Sequence, residues 1–298
     1  MPFTYSQEQE IIRLYTEDFW FKKDIAKHFQ CSTTTLNKVF KKYNIPTRTR
    51  AINHSLKEDF FENIDTEEKA YILGILFTDG SIKAEANRQD QIRLELQIRD
   101  IELINRIKQE LGINGKTTFS KHKNKSGSTT ESALITINSD KMAQDLAKYG
   151  IIPNKTYYTK HLPKLEEKFI PHFFRGLIDG DGSIYTTKTY NEKYQKYYYK
   201  KVIYFCSYHQ SVCEDFRQMI APFLSRKELP KVTKEKYTYR FSISKQQDVK
   251  EMATLLYKDS NIYLSRKYEL ARQIFEGNDE EDIVYSEKNI SKDTVEKD

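Results

Sequence analysis

Phe174-Arg175-Gly176-Leu177-Ile178-Asp179-Gly180-Asp181-Gly182-Ser183-Ile184 has a looser copy 102 residues upstream, Ile72-Leu73-Gly74-Ile75-Leu76-Phe77-Thr78-Asp79-Gly80-Ser81-Ile82. In register, Gly74 falls on Gly176, Thr78 on Gly180, Asp79 on Asp181 and Gly80 on Gly182. Small residues four apart share one face of a helix. Without side chains there, two helices can meet almost backbone to backbone, as small-x3-small pairs do in membranes. Each stretch therefore reads as a helix that ends at an acid, followed by a glycine that permits a turn. Side by side, the two helices bring Asp79 and Asp181 to one end of their seam. Adjacent carboxylates repel unless a cation lies between them, and hard oxygen donors suit Mg²⁺ or Mn²⁺. A calcium loop starting at Asp179 fails, because Ile184 stands where glycine is needed and Tyr190 where glutamate is needed. A phosphate loop would need a closing lysine-serine or lysine-threonine, which is absent.

Secondary-structure signals repeat around the two motifs. Ile92, Leu94, Leu96 and Ile98 alternate with Arg93, Glu95, Gln97 and Arg99, the pattern of a strand with one face on a core. A helix over 103–111, a hairpin from strands 116–121 and 133–138, and a helix over 142–149 follow. After the second motif come strands over 183–189 and 201–206 and a helix over 214–224. A hairpin, 232–236 with 239–244, and a helix over 249–257 complete the second unit. Each unit of about 100 residues thus reads helix, two strands, helix, two strands, helix. The class is α+β.

The first fifty residues read as three helices, over 7–15, 22–29 and 33–43, with Ser6 and Ser32 as caps. Small Ala26 sits where the second and third must approach, as in a helix-turn-helix. The third helix would offer Thr33, Thr34, Asn37, Lys38 and Lys41 to base edges and phosphates. Arg48 and Arg50 follow in a polar arm suited to a minor groove. The resulting division is a helix-turn-helix at 1–44, an arm at 45–59, repeats at 60–163 and 164–275, and an acidic, disordered tail at 276–298. That tail carries nine acids against three lysines, so the overall charge of +6 leaves +12 on the rest. A body this basic points to a polyanionic partner. Three scattered cysteines, no run of 18 apolar residues and no leader at the first four residues favour a soluble intracellular protein.

The two motifs closely resemble those of the LAGLIDADG homing endonuclease family, the second motif more faithfully than the first. The resemblance spans roughly residues 60–275. It implies two αββαββα units in a single-chain pseudo-dimer with the motif helices, and hence Gly74 and Gly176, at the interface. Asp79 and Asp181 would hold the catalytic divalent ions, joined by the carbonyls of Thr78 and Gly180. The two sheets would form a saddle on double-stranded DNA, cut to leave short 3′ overhangs. Phe77 departs from the pattern where the motif often has its first acid, a position that is not the metal ligand. The family also supplies one basic residue per repeat near the scissile phosphates. Lys155 and Lys267 fit, lying 76 and 86 residues after their motif acids. There they would stabilise phosphate charge or help deliver water.

Outward Arg93, Gln97, Arg99 and Arg240 are the best candidates for base contacts. Residues 185–204 hold seven tyrosines and five lysines, a composition that suits a DNA face or a solvated hairpin. Cys206, His209 and Cys213 lack the fourth ligand and spacing of a zinc site. Two rival functions remain, a non-catalytic DNA-binding regulator on the same fold and an RNA maturase assisting intron splicing. Relatives of the first kind usually lose the motif acids, and both are present.

Overall fold

Thr4, rather than Ser6, starts the first helix. Its hydroxyl accepts from the Gln7 amide while the Gln7 side chain accepts from the Thr4 amide, closing a reciprocal cap. The computed structural model describes residues 3–18, 20–46, 55–84, 88–115, 117–123, 127, 129–193 and 196–277. Arg48, Arg50 and nearly all of the acidic tail lie outside the described residues. Helices α1 (Tyr5–Thr16), α2 (Lys22–His28) and α3 (Thr33–Lys42) pack Ile11, Leu14, Ile25, Ala26, Leu36 and Phe40 into a core of their own. Ser32 caps α3 through the Thr35 amide. Glu8 binds α1 to the end of α3, accepting from Lys42 Nζ at 2.6 Å and the Tyr43 hydroxyl at 2.7 Å.

The second core is shared by both repeats. Repeat one comprises α4 (Glu67–Thr78), β1 (Gly80–Lys83), β2 (Gln91–Gln97), α5 (Ile101–Glu110), β3 (Thr118–Lys123), β4 (Thr129–Asn138) and α6 (Asp140–Lys148). A short helix, α7 (Lys155–Tyr158), leads to repeat two. There α8 (Ile170–Asp181), β5 (Gly182–Asn191), β6 (Lys196–Ser207), α9 (Gln210–Ile220), β7 (Thr233–Lys234), β8 (Tyr239–Ile243) and α10 (Gln246–Tyr257) repeat the order, followed by α11 (Ser265–Glu276). The two antiparallel sheets have the orders β1-β2-β4-β3 and β5-β6-β8-β7. Gly80 pairs with Leu94 in one and Gly182 with Phe205 in the other, so the two registers correspond.

Two local readings change. Strand β2 stops at Gln97, and Arg99 lies in a 3₁₀ turn over Ile98–Asp100. The alternation of Leu96 and Ile98 continues past the point where chain direction turns into α5. The glycines after the motif acids do not serve a left-handed turn either, since neither has a positive φ. A Cβ on Gly80 would lie 2.8 Å from the Leu76 Cα, and one on Gly182 would lie 2.6 Å from the Ile178 Cα. Glycine is needed there because each strand folds straight back over its own helix.

Helix α4 is buried from Ala70 through Leu76, as a helix enclosed on all sides must be. Its closest neighbour is α8. A Cβ built on Gly74 would lie 2.9 Å from the Gly176 Cα, and one on Gly176 would lie 2.9 Å from the Gly74 Cα. Both would also press on backbone carbonyls, those of Phe173 and Tyr71. No side chain can yield at this crossing. Gly176→Ala should therefore destabilise the repeats by about 1–3 kcal/mol or more. Gly115→Ala, where a Cβ meets nothing within 4 Å, should leave stability unchanged. Chemical denaturation of both variants measures the contrast, and equal midpoints would show that the crossing is not close-packed.

Candidate active site at the helix seam

Asp79 occupies the C-cap of α4, and Asp181 is the last residue of α8. A Cβ on Gly180 would lie 2.6 Å from the Asp79 Oδ2 and also inside the Thr78 side chain. The carboxylate of one helix thus rests on the bare backbone of the other. Both acids are solvent-exposed at their tips, yet protein surrounds them on the remaining sides. This surrounding protein raises the pKa of Asp79, opposed by the Thr78 hydroxyl at 3.1 Å and by Lys155, Lys267 and Arg266. Burial and then repulsion from Asp79 push Asp181 up to about 6, against Lys155 and Lys267. The repulsion that Asp79 exerts on Asp181 marks a place that favours added positive charge.

The two lysines reach equivalent places. Lys155 Nζ donates to the carbonyls of Thr78 at 2.9 Å and Gly80 at 2.6 Å. Lys267 Nζ donates to those of Ile178, Asp179 and Gly182 at 2.6, 2.8 and 2.8 Å. Cations at helix C-termini satisfy otherwise orphaned carbonyls and the helix dipole. They differ in what remains. An ammonium has three N–H groups; Lys155 has committed two, and Lys267, only 4% exposed, has committed all three. Burial lowers the pKa of Lys155 and brings that of Lys267 down to about 8. The geometry assigns Lys267 to holding the end of α8, which differs from the expected contact with phosphate. The Thr78 carbonyl, expected to bind metal, already accepts from Lys155, leaving it one lone pair.

Sequence reasoning missed the buried polar cluster beneath this seam. Asp179, which replaces nothing in repeat one because Phe77 stands at its counterpart, accepts from the hydroxyls of Tyr71 and Tyr257 at 2.7 Å each. It also accepts from the Leu264 amide at 2.8 Å. Arg175 is fully enclosed, donating to the carbonyls of Leu256 and Ile262 at 2.8 Å and to Glu67 at 2.5 Å. Glu67 and Tyr71 come from α4, and the others from repeat two. The signal was present in the sequence as charged residues inside an apolar helix, which are rarely buried without partners.

Of the remaining candidates, Arg93 and Gln97 are exposed on β2, and Arg99 is exposed just beyond it. Arg240 stacks over the Tyr204 ring at 3.7 Å and pairs with Glu235 at 2.7 Å. Thr33, Thr34, Asn37, Lys38 and Lys41 are all exposed along α3, with Asn37 accepting from Lys22 Nζ at 2.8 Å. Cys206, His209 and Cys213 each contact a different carbonyl, and no group of three metal-binding side chains occurs among the described residues.

No family model and no curated protein matches the sequence. Solved structures do. The LAGLIDADG meganuclease I-CpaMI bound to uncleaved DNA aligns with 72% of this chain and 92% of its own, at 13% identity and a TM-score of 0.50. The chain has the two-repeat LAGLIDADG fold. Further matches include the LAGLIDADG meganuclease I-AabMI bound to uncleaved DNA, at 12% identity, 69% and 89% coverage and a TM-score of 0.47. The homing endonuclease I-GzeII in complex with its DNA target matches at 13%, 69% and 90%, and 0.46. No helix among the described residues of this LAGLIDADG fold is long and apolar enough to cross a membrane.

Asp179 and Asp181 should respond oppositely to loss of charge. Asp179→Ala strands two hydroxyls and an amide and removes the negative charge nearest the buried Lys267 ammonium, a loss of about 3–5 kcal/mol. Asp181 has a folded pKa of about 6 against 3.8 for the free side chain. Its contribution is present below the lower value and is lost as pH rises through the higher. In metal-free buffer, Asp181→Asn should therefore match or exceed the native protein in Tm at pH 8, with the difference closing between pH 6 and 4. Melting curves across that range decide both signs.

Proposed function

We propose that this protein is a site-specific endonuclease that hydrolyses both strands of duplex DNA with the help of a divalent metal. The observation that carries the proposal is the pair of carboxylates, Asp79 and Asp181, brought to the end of a glycine seam so that the charge of Asp79 raises the pKa of Asp181. The relatives in fold bear on the substrate, since I-CpaMI was solved on DNA.

The donor set fits Mg²⁺ or Mn²⁺. Two carboxylates are within what Mg²⁺ requires, because it keeps several waters and takes only one or two protein ligands. Asp79 and Asp181 would hold it, and the Gly180 and Thr78 carbonyls are the further oxygens that the family resemblance would assign to it. Bound there, the metal would supply a more acidic water and charge neutralisation on the phosphate. The chain's own residues do the rest. The glycine crossing fixes the distance between the two acids. Lys155 and Lys267 hold the carbonyl ends of α4 and α8, and Lys155 keeps one N–H to offer a phosphate oxygen. In each cut, the water oxygen bonds to phosphorus as the bond to the 3′ oxygen breaks. The water's proton goes to solvent and the leaving oxygen takes one up.

Helices α2 and α3 act in this reading as a helix-turn-helix that adds a second DNA contact through Thr33, Thr34, Asn37, Lys38 and Lys41. The β2 residues Arg93 and Gln97, with Arg99 and Arg240, serve base or phosphate contact on the two sheets. The chain works as a monomer with internal pseudo-twofold symmetry. A regulator on the same fold would not need two facing acids, and an RNA maturase would not need α3.

Asp79→Asn and Asp181→Asn should each abolish double-strand cleavage of a target selected from a randomised library in Mg²⁺, while affinity changes little. Undiminished cutting by either variant would falsify the assignment. Replacing Asn37, Lys38 and Lys41 together by alanine should weaken DNA binding and make its salt dependence shallower by up to two units. Cleavage at saturating protein should persist. An unchanged salt slope would remove α3 from the interface.

A further inference from the structure

Two clefts flank the seam, and they do not carry the same cation. The cleft beside Asp181 is lined by Thr78, Lys155, Thr156, Ser207 and Tyr208. The cleft beside Asp79, of about 220 Å³, is lined by Gly180, Glu95, Gln97, Asp100 and Arg266. Lys155 faces the first with an uncommitted N–H. Lys267, its counterpart by hydrogen bonding, lines neither cleft and has no N–H left. If phosphate charge is to be met on both sides, the second side needs another group.

Arg266 meets the requirements. It lies in the first turn of α11 next to Lys267, and its side chain is 42% exposed. Asp100, itself 9% exposed, takes the Nε–H at 3.3 Å and anchors that edge of the guanidinium. The two terminal amino groups have no partner among the described residues. Their charge acts on Asp79, whose raised pKa it opposes. The residue in the same place before Lys155 is Asn154, which is neutral and in the left-handed region at φ 56. The cation that lines the cleft beside Asp79 therefore stands one position before the lysine that corresponds to Lys155.

We propose that Arg266 is a catalytic residue of the Asp79 half-site, contacting the non-bridging oxygens of the phosphodiester cut there, as Lys155 does beside Asp181. The assignment rests on the endonuclease reading above. A guanidinium stays protonated throughout, so Arg266 contributes charge and two parallel N–H donors and moves no proton. The two strands are therefore cut by unlike sites.

Each cut can be measured alone on a selected target already nicked in the opposite strand, under single-turnover conditions with Mg²⁺. Arg266→Ala should slow one strand by roughly 10²-fold, the usual effect of deleting one transition-state donor. Lys155→Ala should slow the other strand, and Arg266→Lys should recover part of the loss. Asp100→Asn removes the anchor and keeps the cation, so it should cost less than tenfold on the same strand. Arg266→Ala that slows both strands alike, neither strand, or the strand that depends on Lys155 overturns the proposal. Asp100→Asn that reproduces the full loss overturns it too, showing that Arg266 only ties α11 to repeat one. A second readout separates this proposal from the one it rests on. Arg266→Ala should reduce the salt slope of DNA affinity by about one unit. A native protein that binds DNA with a slope insensitive to Arg266 sinks Arg266 alone, whereas a native protein that binds no DNA sinks the endonuclease reading with it.

Discussion

The backbone contact between Gly74 and Gly176 governs everything built around it. Because neither residue has a side chain, α4 and α8 cross with backbone against backbone, too close for a Cβ on either. That separation lets the apolar residues on their other faces reach into both sheets, so the two repeats share one core. It also sets the spacing of the acids, since Asp79 lies against Gly180 only because the helices remain close up to their ends. Packing and chemistry are here two outcomes of one distance.

Such closeness concentrates unfavourable electrostatics at the helix C-termini. Two carboxylates meet the negative ends of two helix dipoles. The chain answers with Lys155 and Lys267, which bind the terminal carbonyls and oppose the carboxylate charge. Both lysines come from segments that follow their own repeats. Each repeat's exit thus closes the end of its own motif helix, linking the order of the chain to the stability of the site.

The motif pattern was legible because Gly74/Thr78 and Gly176/Gly180 recur in register with duplicated strands. It announced the seam, the acids and the repeat order directly. Helix α11 was not legible, since the face it buries starts with Lys267 and hides its period behind a charge. The end of β2 was also misjudged, because apolar alternation at Leu96 and Ile98 says nothing about where the backbone turns. The unequal duties of Lys155 and Lys267 depend on counting acceptors around each ammonium, and spacing from a motif acid cannot supply that count. The glycines after the acids looked like turn residues, yet Gly80 and Gly182 are demanded by crowding.

The buried cluster around Asp179 gives the two halves different trades. By the 102-residue correspondence, Asp179 faces Phe77, Arg175 faces Leu73, Tyr71 faces Phe173 and Glu67 faces Phe169. Each of these four polar residues has an apolar counterpart, so the two hydrogen bonds that cross between the halves, Tyr71 to Asp179 and Arg175 to Glu67, have no mirror image. Two copies of repeat two brought together would enclose two Asp179 and two Arg175 groups with no Tyr71 or Glu67 to meet them. Two copies of repeat one would bring two Tyr71 and two Glu67 groups with no Asp179 or Arg175 to meet them. The halves resemble each other in outline but are no longer interchangeable parts. Each half is fitted to the other and not to a copy of itself.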